Sequence, residues 1–390
     1  MKDILFPEWL KKTLGYILVA ALSSAVTLTA CSLRGVGQTK LEQLESLILD
    51  RYIGEVDATV LEDSAAVGMV AGTGDKWSYY VSAEEYESYN QGKRNAYVGI
   101  GVTASRADYS RGLEVLRVEE SGGAAQAGIQ AGDWIVGVDG HTLEEVGGEA
   151  MSGYIGGDAG TTVEITVLRD GKTLTFTVER RQLNSRVVSY RMLPGKVGYV
   201  RIFNFNDRSA DESIAAVKTL CEQGATGLLF DVRGNPGGYK HELVALLNYL
   251  LPEGILFQTV DYEGTEIVDR SDADCLEMPM AVLINGDSYS AAEFFAAALE
   301  EYGWAELAGE PTTGKGYYQH TVRLNDGSAV TLSMGKYFTP NGVSLAETGG
   351  LDPKLLVEVD AETRAKIYAD TLPVEEDAQI QAALTLFPGK

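Results

Sequence analysis

Cysteine and histidine are scarce in this sequence: its 390 residues include three of each. The cysteines are Cys31, Cys221 and Cys275, and an odd number leaves at least one without an intramolecular partner. Cys221 and Cys275 can pair, but Cys221 falls on the apolar side of a predicted helix, which favours a small buried residue. No cluster of metal-ligating residues appears in the sequence. We therefore expect neither a metal nor a cofactor.

Basic residues are also few relative to acidic residues. Lys and Arg number 32 against 56 Asp and Glu, which gives a net charge of −24 at pH 7. No basic stripe is present that can neutralise a phosphate backbone, which argues against a nucleic-acid partner. The hydrophobic content of 45% is ordinary for a globular protein, and the length provides for two or three domains.

One long uncharged stretch, residues 13–30, stands near the N-terminus behind three lysines. Its 18 residues lie at the border between the core of a signal peptide and a membrane helix. The stretch ends in Leu-Thr-Ala-Cys, which resembles a bacterial lipoprotein processing site and implies lipidation of Cys31. An uncleaved single-pass anchor is the alternative. Either reading predicts that residues 1–34 are a signal or anchor and that the rest of the chain lies outside the cytoplasm, at the cell membrane.

The stretch from Ala281 to Gln319 carries the strongest pattern. Residues 281–284 form a short apolar run typical of a buried strand, and a polar turn follows it. Apolar residues then recur at helical spacing from Ala291 to Leu299. Ser290 therefore lies where a strand changes to a helix, beside free backbone N–H groups. A helix N-cap is the alternative interpretation of this serine.

A lysine between two glycines, Gly314-Lys315-Gly316, precedes a stretch of alternating side chains that predicts a strand. A serine at a helix start and a lysine entering a strand suit a dyad, in which a neutral amine takes the hydroxyl proton. Residues 309–315 also fit the start of a phosphate-binding loop. Gly316 stands where that loop needs Ser or Thr, and no helix is predicted to follow, which argues against nucleotide binding.

At this point the chain resembles the carboxyl-terminal processing (tail-specific) serine peptidases. The resemblance rests on the Ser-Tyr-Ser-Ala-Ala-Glu segment at residues 288–293, on Lys315 within Gly-Lys-Gly, and on Gln319 four residues later. It implies that Ser290 is the nucleophile, that Lys315 is the general base, and that Gln319 orients the amine.

A region of short strands and glycine turns, residues 96–184, resembles a PDZ domain. Val98-Gly99-Ile100-Gly101-Val102 resembles the loop in which such domains bind a peptide's terminal carboxylate through backbone N–H groups. Residues 121–140 and a tight hairpin at residues 169–172 resemble later parts of the same domain. The PDZ region is preceded by a helical region, residues 35–95.

Residues 185–360 alternate strand and helix patterns, which predicts an α/β peptidase core. One predicted strand ends in Arg-Gly-Asn-Pro-Gly-Gly at residues 233–238. In the family this turn supplies a backbone N–H to the oxyanion hole, which here implies Gly237 or Gly238, together with the N–H of Ala291. An ordinary turn before a helix is the alternative. Residues 361–390 are predicted to form a helical tail.

The sequence thus predicts a mixed α/β (α+β multidomain) protein: an N-terminal membrane anchor, a helical segment, a β-rich PDZ domain and an α/β peptidase core. Its expected function is that of a serine endopeptidase cleaving proteins near their C-terminal regions through an acyl-enzyme. The expected partners are protein or peptide substrates with free C-termini and the membrane. The sequence leaves open whether the protein forms a homo-oligomer. Two alternatives remain: an inactive PDZ scaffold with a decayed core, and a Ser-His-Asp triad using His241 or His320.

Overall fold

The computed structural model describes residues 38–105 and 110–387, together with Thr13, Tyr16, Ile17, Val19 and Ser23. The chain divides into two compact units between Ser82 and Ala83. Cys31 and most of the predicted anchor lie outside the described residues. Among the residues that are described, no helix has the length and the apolar character needed to cross a membrane.

From residue 38 onward, the described part of the first unit contains two helices within the region that the sequence predicted to be helical. Its elements are α1 (Lys40–Arg51), α2 (Ala58–Ala71) and β1 (Tyr79–Val81). Thr39 begins α1 in a capping box with Glu42, and the Asp57 carboxylate begins α2 by accepting the N–H of Thr59 at 2.7 Å. The capping aspartate marks the start of a new helix after residues 52–57.

The second unit begins with one helix and a β-rich domain. Their elements are α3 (Ala83–Lys93), β2 (Ala96–Gly99), β3 (Val102–Ala104), β4 (Leu113–Val118), α4 (Gly123–Ala127), β5 (Trp134–Val138), β6 (His141–Thr142), α5 (Leu143–Ile155), β7 (Thr162–Arg169), β8 (Lys172–Glu179) and β9 (Arg181–Asn184). The main sheet is antiparallel, in the order β3-β4-β5-β7-β8, and β2 pairs with β9. Alternation in β7 buries Val163, Ile165 and Val167 in one core.

The peptidase core follows. Its elements are β10 (Val188–Leu193), β11 (Val197–Ile202), α6 (Ser209–Glu222), β12 (Gly227–Asp231), α7 (Lys240–Leu250), β13 (Gly254–Asp261), β14 (Glu266–Ser271), β15 (Met280–Ile284), α8 (Ala291–Glu301), β16 (Ala305–Gly309), β17 (Tyr317–Arg323), β18 (Ala329–Phe338), α9 (Leu345–Thr348) and β19 (Leu355–Leu356). One sheet has the order β10-β11-β12-β15-β16-β19, parallel from β11 onward. Strands β17, β18, β13 and β14 pair in antiparallel fashion in a second sheet.

The central parallel strands explain why two predicted site segments lie at one edge of the first sheet. Every residue of β11, β12 and β15 is buried, because the strands are covered on both faces. Their carboxyl ends therefore lead into loops at the same edge of the sheet. These loops contain the Gly234–Gly238 turn after β12 and the Asn285–Ser290 turn after β15. The predicted mixed α/β organisation is confirmed.

The C-terminal tail is part of the core. Its elements are α10 (Ala361–Tyr368), a 3-10 turn (Val374–Glu376) and α11 (Ala378–Leu384). Ile380, Ala383 and Leu384 of α11 are buried against Leu229 and Leu283 of the parallel sheet. The tail thus covers one face of that sheet, a role that the sequence analysis did not assign to it.

A buried ion-pair network joins this tail to the end of β12. Nη2 of Arg233 lies 2.6 Å from the carboxylate of Asp231 and 2.9 Å from that of Asp377, and Nη1 lies 2.7 Å from Oε1 of Gln379. Burial alone would raise the pKa of Asp231, but the charge and hydrogen bonds of Arg233, with Arg201 and Tyr199, lower that pKa to about 2. The network fixes the residue that immediately precedes the Gly234–Gly238 turn.

Candidate active site

Ser290 lies in a strained turn between β15 and α8. Its backbone has φ +59° and ψ −127°, a conformation that side-chain-bearing residues rarely adopt and that is concentrated at functional sites. The side chain is nearly buried, at 9% exposure. Its Oγ lies 2.8 Å from Oη of Tyr337. The preceding turn is held by Ser288, whose hydroxyl donates to the carbonyl of Val232 at 2.7 Å.

Glu293 connects the serine turn with the lysine loop. Its Oε2 accepts the backbone N–H of Ser290 at 3.0 Å and that of Lys315 at 2.9 Å. Its Oε1 accepts the hydroxyl of Thr312 at 2.5 Å and the N–H of Gly314 at 2.7 Å. Burial raises the pKa of this carboxyl, and the four hydrogen bonds oppose that effect by favouring the anion. One carboxylate therefore brings the two residues of the predicted dyad together.

The two glycines around Lys315 are required by close packing. A Cβ on Gly314 would lie 2.6 Å from the carbonyl carbon of Gly349, and a Cβ on Gly316 would lie 2.7 Å from the Cβ of Ala346. Lys315 itself is buried, and its Nζ lies 5.7 Å from the ring centroid of Tyr289. Strand β17 follows, so the helix N-terminus that a phosphate-binding loop needs is not formed there.

The Gly234–Gly238 turn packs directly against the serine. A Cβ on Gly237 would lie 2.7 Å from the Cβ of Ser290 and 2.9 Å from the backbone nitrogen of Ala291. Asn235 holds the turn, because its side chain accepts the N–H of Gly237 and donates to the carbonyl of Ile202, each at 2.8 Å. The N–H of Gly237 is therefore already committed. The N–H groups of Gly238 and Ala291 have no hydrogen-bond acceptor among the described residues.

Gln319 and the two candidate histidines have contacts that do not involve Ser290 in the described residues. Nε2 of Gln319 donates to the carbonyl of Tyr317 and to the hydroxyl of Ser333, each at 2.9 Å. His320 is exposed on β17, and the side chain of His241 is 70% exposed near the start of α7. Within the described part of the chain, no histidine is hydrogen bonded to Ser290.

One group of side chains has the composition of a metal site. Asp207, His241 and Glu242 each offer a ligand atom within 4.8 Å of the others. The Glu242 carboxylate, however, accepts the N–H of Arg208 at 3.0 Å and that of Ala210 at 2.7 Å, which caps the start of α6. Helix capping accounts for the position of this glutamate without a metal.

The predicted peptide-binding loop lies between β2 and β3. Val98 and Gly99 pair with β9, and Val102 pairs with β4. Ile100 is buried. Gly101 has φ +82°, and a Cβ at this position would lie 2.7 Å from the Cα of Gly122, so the loop approaches Gly122 too closely for a side chain. In the described residues β3 pairs with β4 alone, so it is an edge strand beside this loop.

Glu293 and Tyr337 were missed as site residues in the sequence. Glu293 belonged to the quoted serine segment, and a glutamate three residues after a helix N-cap is the signal of a capping box. That signal predicts its bond to Ser290 but not its bonds to the lysine loop. Nothing in the local sequence indicates that Tyr337, 47 residues away, reaches the serine.

We expect Glu293→Gln to lower the free energy of unfolding by about 1–3 kcal/mol. The new NH2 group would face hydrogen-bond donors, and it cannot accept hydrogen bonds from them. The measurement is the urea midpoint of the purified protein. Glu300→Gln on the same helix is the matched control, since burial and the nearby Glu306 and Glu301 already raise the pKa of Glu300. Equal midpoints for the two variants would contradict the role given to Glu293.

Comparison with known proteins identifies two domains in the chain. Residues 196–357 match the family described as Peptidase family S41, and residues 96–179 match the PDZ domain. The chain is 28% identical over 359 residues to the carboxy-terminal processing protease CtpA of Bacillus subtilis (strain 168), covering 88% of this chain and 76% of that protein. It is also 28% identical over 346 residues to CtpB of the same organism, covering 85% and 70% respectively.

A solved structure supports the same fold. The putative S41 protease from Bacteroides fragilis NCTC 9343 superimposes with a TM-score of 0.59 at 17% identity, over 88% of this chain and 96% of that chain. The resemblance found in the sequence is confirmed. The chain is a serine-type peptidase, a hydrolase, in which a PDZ domain at residues 96–179 precedes a peptidase domain of family S41 at residues 196–357.

Proposed function

We propose that the chain is an endopeptidase that cleaves proteins near their C-terminal regions by a Ser290/Lys315 dyad. The observation that carries the proposal is the shared bond to Glu293, whose Oε2 accepts the N–H of both residues. Both side chains are also buried at 9% exposure. A lysine acts as a base only when it is neutral, and burial away from water favours the neutral amine.

In the proposed reaction, Oγ of Ser290 attacks the scissile carbonyl while Lys315 accepts the hydroxyl proton. Lys315 then returns that proton to the leaving amine, and an acyl-enzyme remains on Ser290. Water attacks the ester in the second half of the reaction, with Lys315 again serving as the base. The positive φ of Ser290 presents the hydroxyl above the start of α8.

The N–H groups of Ala291 and Gly238 are the proposed oxyanion donors. Gly237 is not a proposed donor, because its N–H is already bonded to the side chain of Asn235. Because glycine has no side chain, the turn can pack closely against Ser290 at this position. An oxyanion donor typically lowers the barrier by roughly 3 kcal/mol. Gln319 is proposed to orient the Lys315 amine through Oε1, which accepts no hydrogen bond within the described residues.

We expect a chain beginning near Gly35 to degrade an unfolded protein, and Ser290→Ala and Lys315→Ala to abolish this activity. His241→Ala and His320→Ala are matched controls that keep most of the activity, because both histidines are exposed and neither is hydrogen bonded to Oγ of Ser290. The measurement is the rate of substrate loss. An inactive histidine variant together with an active Lys315→Ala variant would establish the Ser-His-Asp triad instead. If no condition gave turnover that depends on Ser290, the inactive scaffold would be favoured.

We further propose that the loop at residues 98–102 binds the C-terminal carboxylate of substrates. An edge strand, β3, follows the loop and offers unpaired backbone groups to an extended peptide. The domain is also tied to the catalytic core: Nδ2 of Asn95, just before β2, donates to Oδ1 of Asn204 at 3.1 Å. The next residue, Phe205, donates its N–H to the carbonyl of Gly237 at 2.8 Å. We propose that occupancy of the PDZ domain affects the Gly234–Gly238 turn through these contacts.

Amidation of a peptide substrate's C-terminus is expected to weaken its apparent affinity about ten- to a hundredfold, since charge-assisted hydrogen bonds are lost. The measurement compares KM and kcat for the acid and the amide. A rise in KM alone indicates tethering, whereas an accompanying fall in kcat indicates coupling to the core. Identical constants for the two peptides would remove carboxylate recognition from this loop.

We propose finally that residues 1–34 attach the protein to the cell membrane with the catalytic domain outside the cytoplasm. The support is the 18-residue uncharged stretch behind lysines. Mass analysis of membrane-extracted protein separates the two forms of attachment: lipoprotein processing removes residues 1–30 and adds acyl chains to Cys31, and Cys31→Ser then abolishes both changes. An intact N-terminus with unchanged attachment of Cys31→Ser identifies a membrane helix, and a protein found only in the soluble fraction would contradict both.

A further inference from the structure

Tyr337 reaches Ser290 from the second sheet of the core. It lies near the end of β18, and its N–H donates to the carbonyl of Gly316 at 3.1 Å, next to Lys315. Its ring packs on Phe294 at 4.5 Å and on Phe257 at 5.3 Å between ring centroids. The residue is 5% exposed. This packing fixes the position of the phenolic oxygen, so its contact with Ser290 is set by the fold.

The protonation state of Tyr337 allows its phenol to be the donor in this contact. Burial raises the pKa of Tyr337, so the phenol carries its proton at neutral pH. Within the described residues, Oγ of Ser290 at 2.8 Å is the sole hydrogen-bond partner of Oη. Either hydroxyl can be the donor in this contact. Donation by the phenol gives its buried O–H an acceptor and leaves the proton of Ser290 available to a base.

We propose that Tyr337 is a positioning residue: its buried hydroxyl donates to Oγ of Ser290, holds the nucleophile in one rotamer, and leaves the serine's own proton for Lys315. If Ser290 instead donated to Tyr337, its proton would be engaged with the phenol, and the hydroxyl would have to rotate before each attack. The inference rests on the proposed Ser290/Lys315 reaction for its effect on rate, but the hydrogen bond itself can be tested without activity.

The kinetic test compares the full chain, extracted in detergent, with Tyr337→Phe. Loss of this one hydrogen bond is expected to lower kcat for an unfolded protein substrate about tenfold, with KM within about twofold of the original. Tyr318→Phe is the matched control, because its ring stacks on that of Tyr337 at 6.3 Å between centroids while its hydroxyl is not bonded to Ser290. Unchanged or faster turnover in Tyr337→Phe, or an equal loss in Tyr318→Phe, would overturn the proposal.

The second test measures thermal unfolding and does not depend on catalysis. Ser290→Ala leaves the phenol as a donor without an acceptor, so adding Tyr337→Phe to Ser290→Ala should raise the melting temperature. The same Tyr337→Phe change in the wild-type chain should lower it. Equal shifts in the two backgrounds would show that the hydroxyls are not coupled and would overturn the proposal. A chain that shows this coupling but no Ser290-dependent cleavage would contradict the proposed function while keeping the hydrogen bond.

Discussion

The carboxylate of Glu293 is the constraint on which the arrangement of this site depends. It is fully buried and accepts four hydrogen bonds, two at each oxygen. Two of these come from the backbones of Ser290 and Lys315, which are separated by a helix and a strand in the sequence. These bonds fix the positions of both residues through the backbone and do not use either side chain. A buried anion of this kind is stable only when its acceptor sites are filled, so the turn and the loop are held together.

Other parts of the core hold the opposite side of the site. Asn235 shapes the Gly234–Gly238 turn from within, and Arg233 ties the start of that turn to Asp231 and to Asp377 of the C-terminal tail. Tyr368, also in the tail, hydrogen bonds to Asp287 in the turn before Ser290. The tail therefore restrains both loops that meet at the serine. Removing one member of such a buried network leaves an uncompensated charge, which makes the tail part of the catalytic framework.

Much of the fold and several site residues could be predicted because their signals are local. The change from a continuous apolar run to helical spacing around Ser290 located the strand-to-helix turn, and the glycines around Lys315 and in residues 237–238 correspond to close backbone approaches. The remaining features depend on contacts between distant segments. Tyr337 reaches Ser290 across 47 positions, and Arg233 reaches Asp377 across 144, and no periodicity in either segment encodes these pairs.

The central claim is that Ser290 forms the covalent bond to the substrate. The most direct measurement is to mix the protein with an activated ester, quench the reaction in acid during the burst, and locate the acyl group by peptide mass spectrometry. The account predicts an acyl group on the peptide containing Ser290 in the wild-type chain and none in Ser290→Ala. An acyl group on another residue, or continued turnover with Ser290 unmodified, would contradict it.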